Sequence, residues 1–506
     1  MVGGMGWADR TFWCARRMRD WAVVAVVAGA CLAGAWPGTA SGCYAVVVGR
    51  DASTDGAVLL GHNEQSGANR VNNLRVIPAA RHSADSVVHL RRGGTLPQVV
   101  QTHRVIWSNL PDQEFSDNYM NQWGVAVVSD GCPSVEDGYD ALVARGQIRD
   151  GGIGFMLRRL IALRARTAEE GVELAGALLE RLGYTDTGRT LVIADPREAW
   201  LLSVVRGRQW VAQRVPDDGV VILPNVHVVA AVDLADSANF RGSPDLLEYA
   251  TLRGWYDPRG GKRFSFRSVH NGSDPRDDRQ WRGQTLAAEA TSQWPPEQAL
   301  PFAVRPDHKL SVRDVAAILR DHGAGPPTLC TAVTEEGAVF QLRSWLPPEI
   351  GAVYWRTSAE PCMGVLVPWY AGITATPESY HEPMGLARQL SLSSQFEQRA
   401  AAYVPNADLA WWVFTELRDR VHSDYVSRMA QVGPMARAFE DSLFARQPEV
   451  EAHAMALYGA GPEQAQAFLT RYSGYTGLRA VALARQMTAA LRLDEAASGP
   501  APGATE

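Results

Sequence analysis

The stretch CYAVVVGRDASTDGAVLLGHNEQ, residues 43–65, decides how the rest of the chain is read. Tyr44 to Val48 is a short apolar run rich in valine, Asp51 to Gly56 supplies turn residues, and AVLLGHNEQ resumes the apolar pattern. Two such runs around a turn predict a β-hairpin. A strand that begins beside Cys43 holds that residue in place by pairing with its neighbour.

What precedes the hairpin gives Cys43 its significance. Arg10, Arg16, Arg17 and Arg19 form a basic segment, Trp21 to Trp36 an apolar core without charge, and Pro37, Ala40, Ser41 and Gly42 a small-residue exit. This is the pattern of a secretory leader, with residues 1–42 as signal peptide and the mature chain exported to the periplasm or the extracellular space. The apolar core falls short of the ~20 residues that a membrane span needs. A cut after Gly42 leaves an α-amine and a thiol on one residue, the base and nucleophile of N-terminal-nucleophile (Ntn) chemistry. A thiol with a pKa of about 8.5 and an α-amine of about 8 share a proton near neutral pH. The thiolate attacks, and the ammonium protonates the leaving amine. The same position supports a reading of another class. Bacterial lipoproteins also begin at Cys, lipidated so that both groups are blocked, but their leaders carry an apolar residue three before it, where this chain has Ala40.

Composition narrows the partners. The 506 residues hold 49 Lys and Arg against 55 Asp and Glu, a net charge of −6. Removing the leader takes away four Arg and two Asp and leaves −8, which disfavours nucleic acid and anionic membrane surfaces. A hydrophobic share of 46% is that of a globular protein. Past the leader remain Cys43, Cys132, Cys330 and Cys362, too few for a disulfide scaffold. Cys330 and Cys362 lie in successive apolar segments and are candidates for one bridge in an oxidising compartment. No pair has CxxC spacing, which speaks against zinc. Nothing matches a P-loop, a dinucleotide fingerprint or HExxH, so no cofactor is expected.

Along the chain, strands are expected at 123–130, 190–194, 199–205, 209–214, 220–223, 329–333, 338–342, 352–355 and 364–367. A helical stretch covers 155–182 with Thr167-x-x-Glu170 as capping box, and Ser311 caps another helix running to about His322. Residues 232–307 read as a polar surface excursion. From about 382 to 493 the pattern is helical, including QFEQRAAAYV at 395–404, and 494–506 reads as a disordered tail. Strands that follow strands through tight turns, with helices between the groups, make an α+β protein of stacked sheets covered by helices. The expected organisation is a catalytic domain over 43–380 and a helical region over 381–493.

Three ordered blocks now carry a resemblance. Residues 43–65, the block EAWLLSVVRGRQWVAQRVPDDGVVILPN at 198–225, and VYWRTSAEPCMGVLVPWYAG at 353–372 resemble the dipeptidase A family of cysteine Ntn hydrolases. The resemblance implies an αββα four-layer sandwich, Cys43 as nucleophile, and hydrolysis of dipeptides or similar small amides. Its fold relatives include acylases, so cleavage of N-acyl amides is the alternative substrate reading. Relatives in this fold often assemble, which makes a homo-oligomer possible. In the family an Asn and an Asp after the second strand orient the terminal amine and the substrate. Here the Asn is Asn63, while the Asp position holds Gln65, which accepts a hydrogen bond but carries no charge. His62 belongs to the same segment, and Glu64 is a candidate source of the missing charge. Asn225 matches a family Asn that contacts the oxyanion, a role a side-chain amide suits. Asn121 is a weaker pocket candidate, as is Arg279 for a substrate carboxylate. Arg214 to Asp218 reads as a structural turn with a local ion pair.

Overall fold

The computed structural model describes residues 42–65, 72–109, 116–271, 276–323, 327–381 and 404–497. The expected leader up to Ser41, nearly all of the run at 395–404, and the expected tail from 498 onward lie outside the described residues.

The hairpin forms as its pattern dictates. Strand β1 (Tyr44–Val48) pairs antiparallel with β2 (Val58–Glu64), Tyr44 opposite Asn63. They form the middle of a six-stranded antiparallel sheet with β12 (Glu336–Leu342), β13 (Ala352–Arg356), β14 (Val367–Tyr370) and β10 (Val220–Leu223), in the order β10-β1-β2-β12-β13-β14. The second sheet has the order β11-β9-β8-β7-β6-β5-β4-β3. Its strands are β3 (Asn73–Ile77), β4 (Val105–Asn109), β5 (Ser116–Asn121), β6 (Ala126–Gly131), β7 (Tyr184–Ala194), β8 (Ala199–Gly207), β9 (Trp210–Arg214) and β11 (Phe240–Gly242). The expected run of strands from 190 to 223 is therefore split. β7, β8 and β9 form a meander, and β10 crosses to the other sheet beside β1.

Alternation sorts the side chains into layers. Met120, Ala126, Val128, Val192 and Leu201 face the first sheet and join its core. Tyr119, Val127, Leu191, Ile193, Leu202 and Val204 face the opposite way, onto helices α1 (Met156–Arg164) and α2 (Ala168–Leu182). The single helical stretch expected here is two helices, because the chain breaks at Ala165 and restarts at the Thr167 N-cap. The outer face of the first sheet is covered by α3 (Asp278–Ala287) and α4 (Val312–Leu319, capped by Ser311 and Asp314). Gly61 lets α4 lie close on β2: a Cβ there would stand 2.5 Å from Val315. The result is the expected αββα sandwich.

Two expectations need correction. The polar stretch 232–307 is not only a surface excursion: within it α3 packs on β10 through Gly283, against Ile222 and the Tyr44 hydroxyl. The strand expected at 329–333 is a loop, because the Leu329 carbonyl is taken by side chains of β2 and the residue after it, Asn63 and Gln65, rather than by a partner strand.

The C-terminal part forms α5 (Ala410–His422), α6 (Tyr425–Ala460) and α7 (Pro462–Ala497), so the helix runs on through residues 494–497 of the expected tail. Asp424 caps α6 and divides what reads in sequence as one run. Trp411, Phe414, Leu417, Leu443 and Leu469 share a core with β12–β14, and Phe444 stacks on Trp355 at 4.4 Å. Arg320 pairs with Glu440 at 2.6 Å, and Arg343 donates to Glu451 at 2.7 Å, both pairs largely buried. Among the described residues no helix is long and apolar enough to cross a membrane.

Candidate active site

Cys43 sits at the start of β1, buried between the sheets, and its Sγ donates to Glu64 Oε1 at 3.2 Å. The register explains the meeting. With Tyr44 opposite Asn63, Cys43 falls opposite Glu64, and both side chains point into the sandwich. Glu336 stands opposite Glu64 on β12. Cys43, Glu64 and Glu336 thus form a row across the inner face of the first sheet. Glu336 pairs with Arg356 at 3.0 Å and accepts from Asn118 at 2.8 Å, with Asn72, Ser108 and Tyr354 also bonding it.

His62, two residues before Glu64, faces the same interior. Its Nε2 lies 3.0 Å from Asp130 Oδ1 of β6, and both side chains are fully buried. This contact spans the two sheets. Burial pulls the imidazole towards its neutral form, but the Asp130 bond and the carboxylates of Asp130, Glu64 and Glu336 outweigh it and hold His62 above its ordinary pKa.

Asn63 and Gln65 face the other way, towards the helices. Asn63 Nδ2 donates to the carbonyls of Leu319 and Leu329 at 2.8 and 3.0 Å. Its amide fastens the loop after α4 and does not reach Cys43. Gln65 Nε2 donates to Leu329 O at 2.8 Å and Thr334 Oγ1 at 3.0 Å, while its Oε1 accepts from Arg279 at 2.9 Å.

Arg279 is the residue that draws the cluster together. From the first turn of α3 its guanidinium donates to Gln65 Oε1, to Asn225 Oδ1 at 3.0 Å and to the Cys43 carbonyl at 3.4 Å, and it lies over the Tyr44 ring at 5.1 Å. Asn225 in turn donates to Gly131 O at 3.1 Å, and Gly42 passes so close to it that a Cβ would meet Asn225 Cγ at 2.5 Å. The bond between Gly42 and Cys43 is thus held beside the Asn225 amide.

A second cation approaches from the opposite sheet. Arg189 of β7 is partly buried, donates to Ser129 Oγ at 3.2 Å and stands over Phe155 at 4.6 Å. Burial alone would lower its pKa, but Tyr184 and Asp186 outweigh that and keep it protonated. It pairs with Asp186 at 3.6 Å. Phe155 and Asp186 also line a cleft of about 420 Å³ with Arg91, Arg92 and Met156.

Of the residues singled out in sequence, the structure gathers Cys43, Glu64, Gln65, Asn225, His62 and Arg279. Asn121 stays apart: its amide donates to Ala162 and Ala165 carbonyls and its oxygen accepts from Trp123 and Val125, an α1-anchoring role. Arg214 and Asp217 make the expected local pair at 2.7 Å, extended to Glu198 and Arg50. Cys132 is buried with its thiol pushed up to about 12, and Cys330 and Cys362 are free thiols. Sequence reasoning missed Asp130 and Arg189. Both sit in strands whose partners come from distant segments, and no local motif marks them.

The model of Peptidase family C69 matches residues 42–404. The chain belongs to Peptidase family C69. A probable dipeptidase of Salmonella dublin is 27% identical over 373 residues, which is 69% of this chain and 85% of the relative. A probable dipeptidase of Latilactobacillus sakei is 25% identical over 373 residues, 68% of this chain and 76% of that one. A dipeptidase of Bifidobacterium longum is 27% identical over 390 residues, 66% and 72%. Among solved structures, a penicillin V acylase from Agrobacterium tumefaciens covers 65% of this C69 chain and 86% of its own length at 13% identity. Its TM-score is 0.34. The family match begins at Gly42, one residue before the thiol at the centre of the cluster.

Proposed function

We propose that this C69 peptidase is an exported cysteine dipeptidase whose working residue is Cys43 once residues 1–42 are removed. The observation that carries the reading is the meeting of Cys43 Sγ with the Glu64 carboxylate inside the sandwich, with Arg279 on the Cys43 carbonyl. Cutting the Gly42–Cys43 bond frees an α-amine within this cluster. The amine takes the thiol proton, and Sγ bonds to the substrate's carbonyl carbon, which becomes tetrahedral. In this reading the Asn225 amide donates its second N–H to the oxygen, which gains negative charge. The C–N bond then breaks, and the leaving amine takes the proton from the α-ammonium. Water gives one proton to the α-amine as it attacks the thioester carbon, the C–S bond breaks, Sγ takes that proton, and the acid leaves as a carboxylate after losing its remaining proton to solvent. Glu64 supplies the charge that pairs with the ammonium, while Arg279 fixes the terminus by its carbonyl. The 420 Å³ cleft beside Arg189 is of a size for a small ligand. The names of the relatives favour dipeptides as substrate.

The test begins with the N-terminal residue and mass of the exported protein. A free Cys43 terminus, labelled by iodoacetamide, together with release of amino acids from unblocked dipeptides, supports the reading. Cys43→Ala, correctly processed, is expected to lose about a thousandfold or more of activity. A diacylglyceryl group on Cys43 overturns it in favour of a surface lipoprotein. Turnover of N-acyl amides alone, in a panel that also holds dipeptides, makes the protein an acylase on the same fold.

A further inference from the structure

On the outer side of the first sheet, away from Cys43, three separate segments bring soft ligands together. His322 follows α4, Cys330 lies in the loop before β12, and Cys362 lies in the segment between β13 and β14. Their ligand atoms all lie within 4.8 Å of one another, and both thiols are buried. His322 is partly buried, and its Nε2, shielded from solvent, makes no hydrogen bond of standard geometry. Glu360, fully buried, has its Oε2 3.6 Å from Cys362 Sγ and 2.9 Å from His422 Nε2, and its Oε1 has no hydrogen-bond partner. Buried polar groups rarely go unpaired, and here two of them border the same pair of thiols.

We infer that His322, Cys330 and Cys362, with the Glu360 carboxylate as fourth ligand, bind one Zn²⁺ ion. Thiolate with imidazole is the donor set that favours zinc. Ligand atoms around a tetrahedral zinc stand roughly 3.5 Å apart, within reach by side-chain rotation of the spacing of 4.8 Å or less among His322, Cys330 and Cys362; Glu360, 3.6 Å from Cys362 Sγ, swings in to complete the set. Binding displaces one proton from each thiol to solvent. His422, bonded to Glu360, then orients that carboxylate from outside the ligand set. A Cys330–Cys362 disulfide is the competing state of the same sulfurs. It would leave the His322 nitrogen and Glu360 Oε1 without a partner, which the ion would not.

The ion would act as a pin. Leu329, next to Cys330, gives its carbonyl to Asn63 and Gln65, and Gln65 holds Arg279 at the Cys43 carbonyl. Through Glu360 and His422 the pin also reaches α5, and Tyr425 at the start of α6 packs on the His322 ring at 4.8 Å. The loop that anchors the proposed catalytic terminus is tied in this way to the C-terminal helices.

The test is metal analysis of the exported full chain, purified without chelator. We expect one zinc per chain, a lower melting temperature after chelation, and recovery on adding Zn²⁺. Reloading the stripped wild-type protein with Co²⁺ is expected to give a thiolate-to-cobalt charge-transfer band, a readout that needs no variant to fold. Cys330→Ser and His322→Ala are expected to lose the zinc, whereas Cys43→Ala keeps it. The last arm separates this site from Cys43, His62 and Glu64, which also cluster. A chain that lacks zinc and is lighter by two hydrogens, with Cys330 and Cys362 in one cross-linked peptide, overturns the inference in favour of a disulfide. Zinc lost on Cys43→Ala but kept on Cys330→Ser overturns it as well.

Discussion

Glu64 and Gln65 are neighbours in sequence that the strand sends to opposite faces, and this separates their roles. Glu64 meets the Cys43 thiol, while Gln65 meets Arg279. A carboxylate beside an amine favours its charged form and raises its pKa. Glu64→Gln is therefore expected to move the rising limb of the kcat/KM pH profile, set by the amine acting as base, to lower pH. Gln65→Asp is expected to leave that limb in place and to lower activity through the lost bonds to Leu329 and Thr334. Unchanged profiles in both variants would remove Glu64 from the role assigned to it. Arg279 reaches three acceptors from one planar fork, a geometry that lysine cannot copy. Arg279→Lys is expected to lower kcat by about a hundredfold, the cost of a small misplacement at the nucleophile. An effect confined to KM would mean that the guanidinium binds substrate instead.

At the scale of elements, β2 and β6 are joined across the sandwich by His62 and Asp130. Because His62 is held above its ordinary pKa, its stabilising effect is complete below the unfolded value of about 6.5. It is lost as pH rises through the higher folded value. Asp130→Asn removes the main cause of that shift. The gap in urea midpoint between wild type and variant is expected to be widest below pH ~6 and to narrow in the alkaline direction. A gap independent of pH would show that the bond matters only as packing. The loop after α4 carries the same lesson about elements. Its apolar letters read as a strand, but Leu329 gives its carbonyl to two side-chain amides, and no strand forms.

For the molecule as a whole, the C-terminal helices are fastened to the catalytic sheets by buried charge as well as by apolar packing. Arg343 after β12 donates to Glu451 of α6 and to the Gly351 carbonyl. Removing one partner of a buried pair leaves the other uncompensated, at a cost of about 3–5 kcal/mol. Glu451→Ala is expected to destabilise the protein by that amount in chemical denaturation. Replacing both residues with apolar ones of similar volume is expected to recover most of it. A single-variant effect below about 1 kcal/mol would mean that the helices are held by apolar contact alone.

The sequence by itself determined the β1–β2 hairpin and an α+β protein of stacked sheets, because these rest on local periodicity and turn chemistry; the αββα class came from the resemblance carried by three ordered blocks, and position after a leader pattern singled out Cys43. It also marked the Asn63–Gln65 segment and Asn225. It did not determine which of these side chains meet. That depended on register: with Tyr44 opposite Asn63, Glu64 faces the thiol, and Asn63 and Gln65 turn towards the helices. Nor did it show Arg279 for what it is, since a polar, glycine-punctuated stretch gives no periodic signal of a helix that packs on β10. The set of His322, Cys330 and Cys362 lies furthest from sequence reasoning. Without CxxC spacing the letters spoke against a metal, and only packing of three distant segments placed their ligand atoms within 4.8 Å of one another. Local interactions are written in neighbouring residues, whereas a site built across strands and loops exists only once long-range pairing has fixed which faces meet.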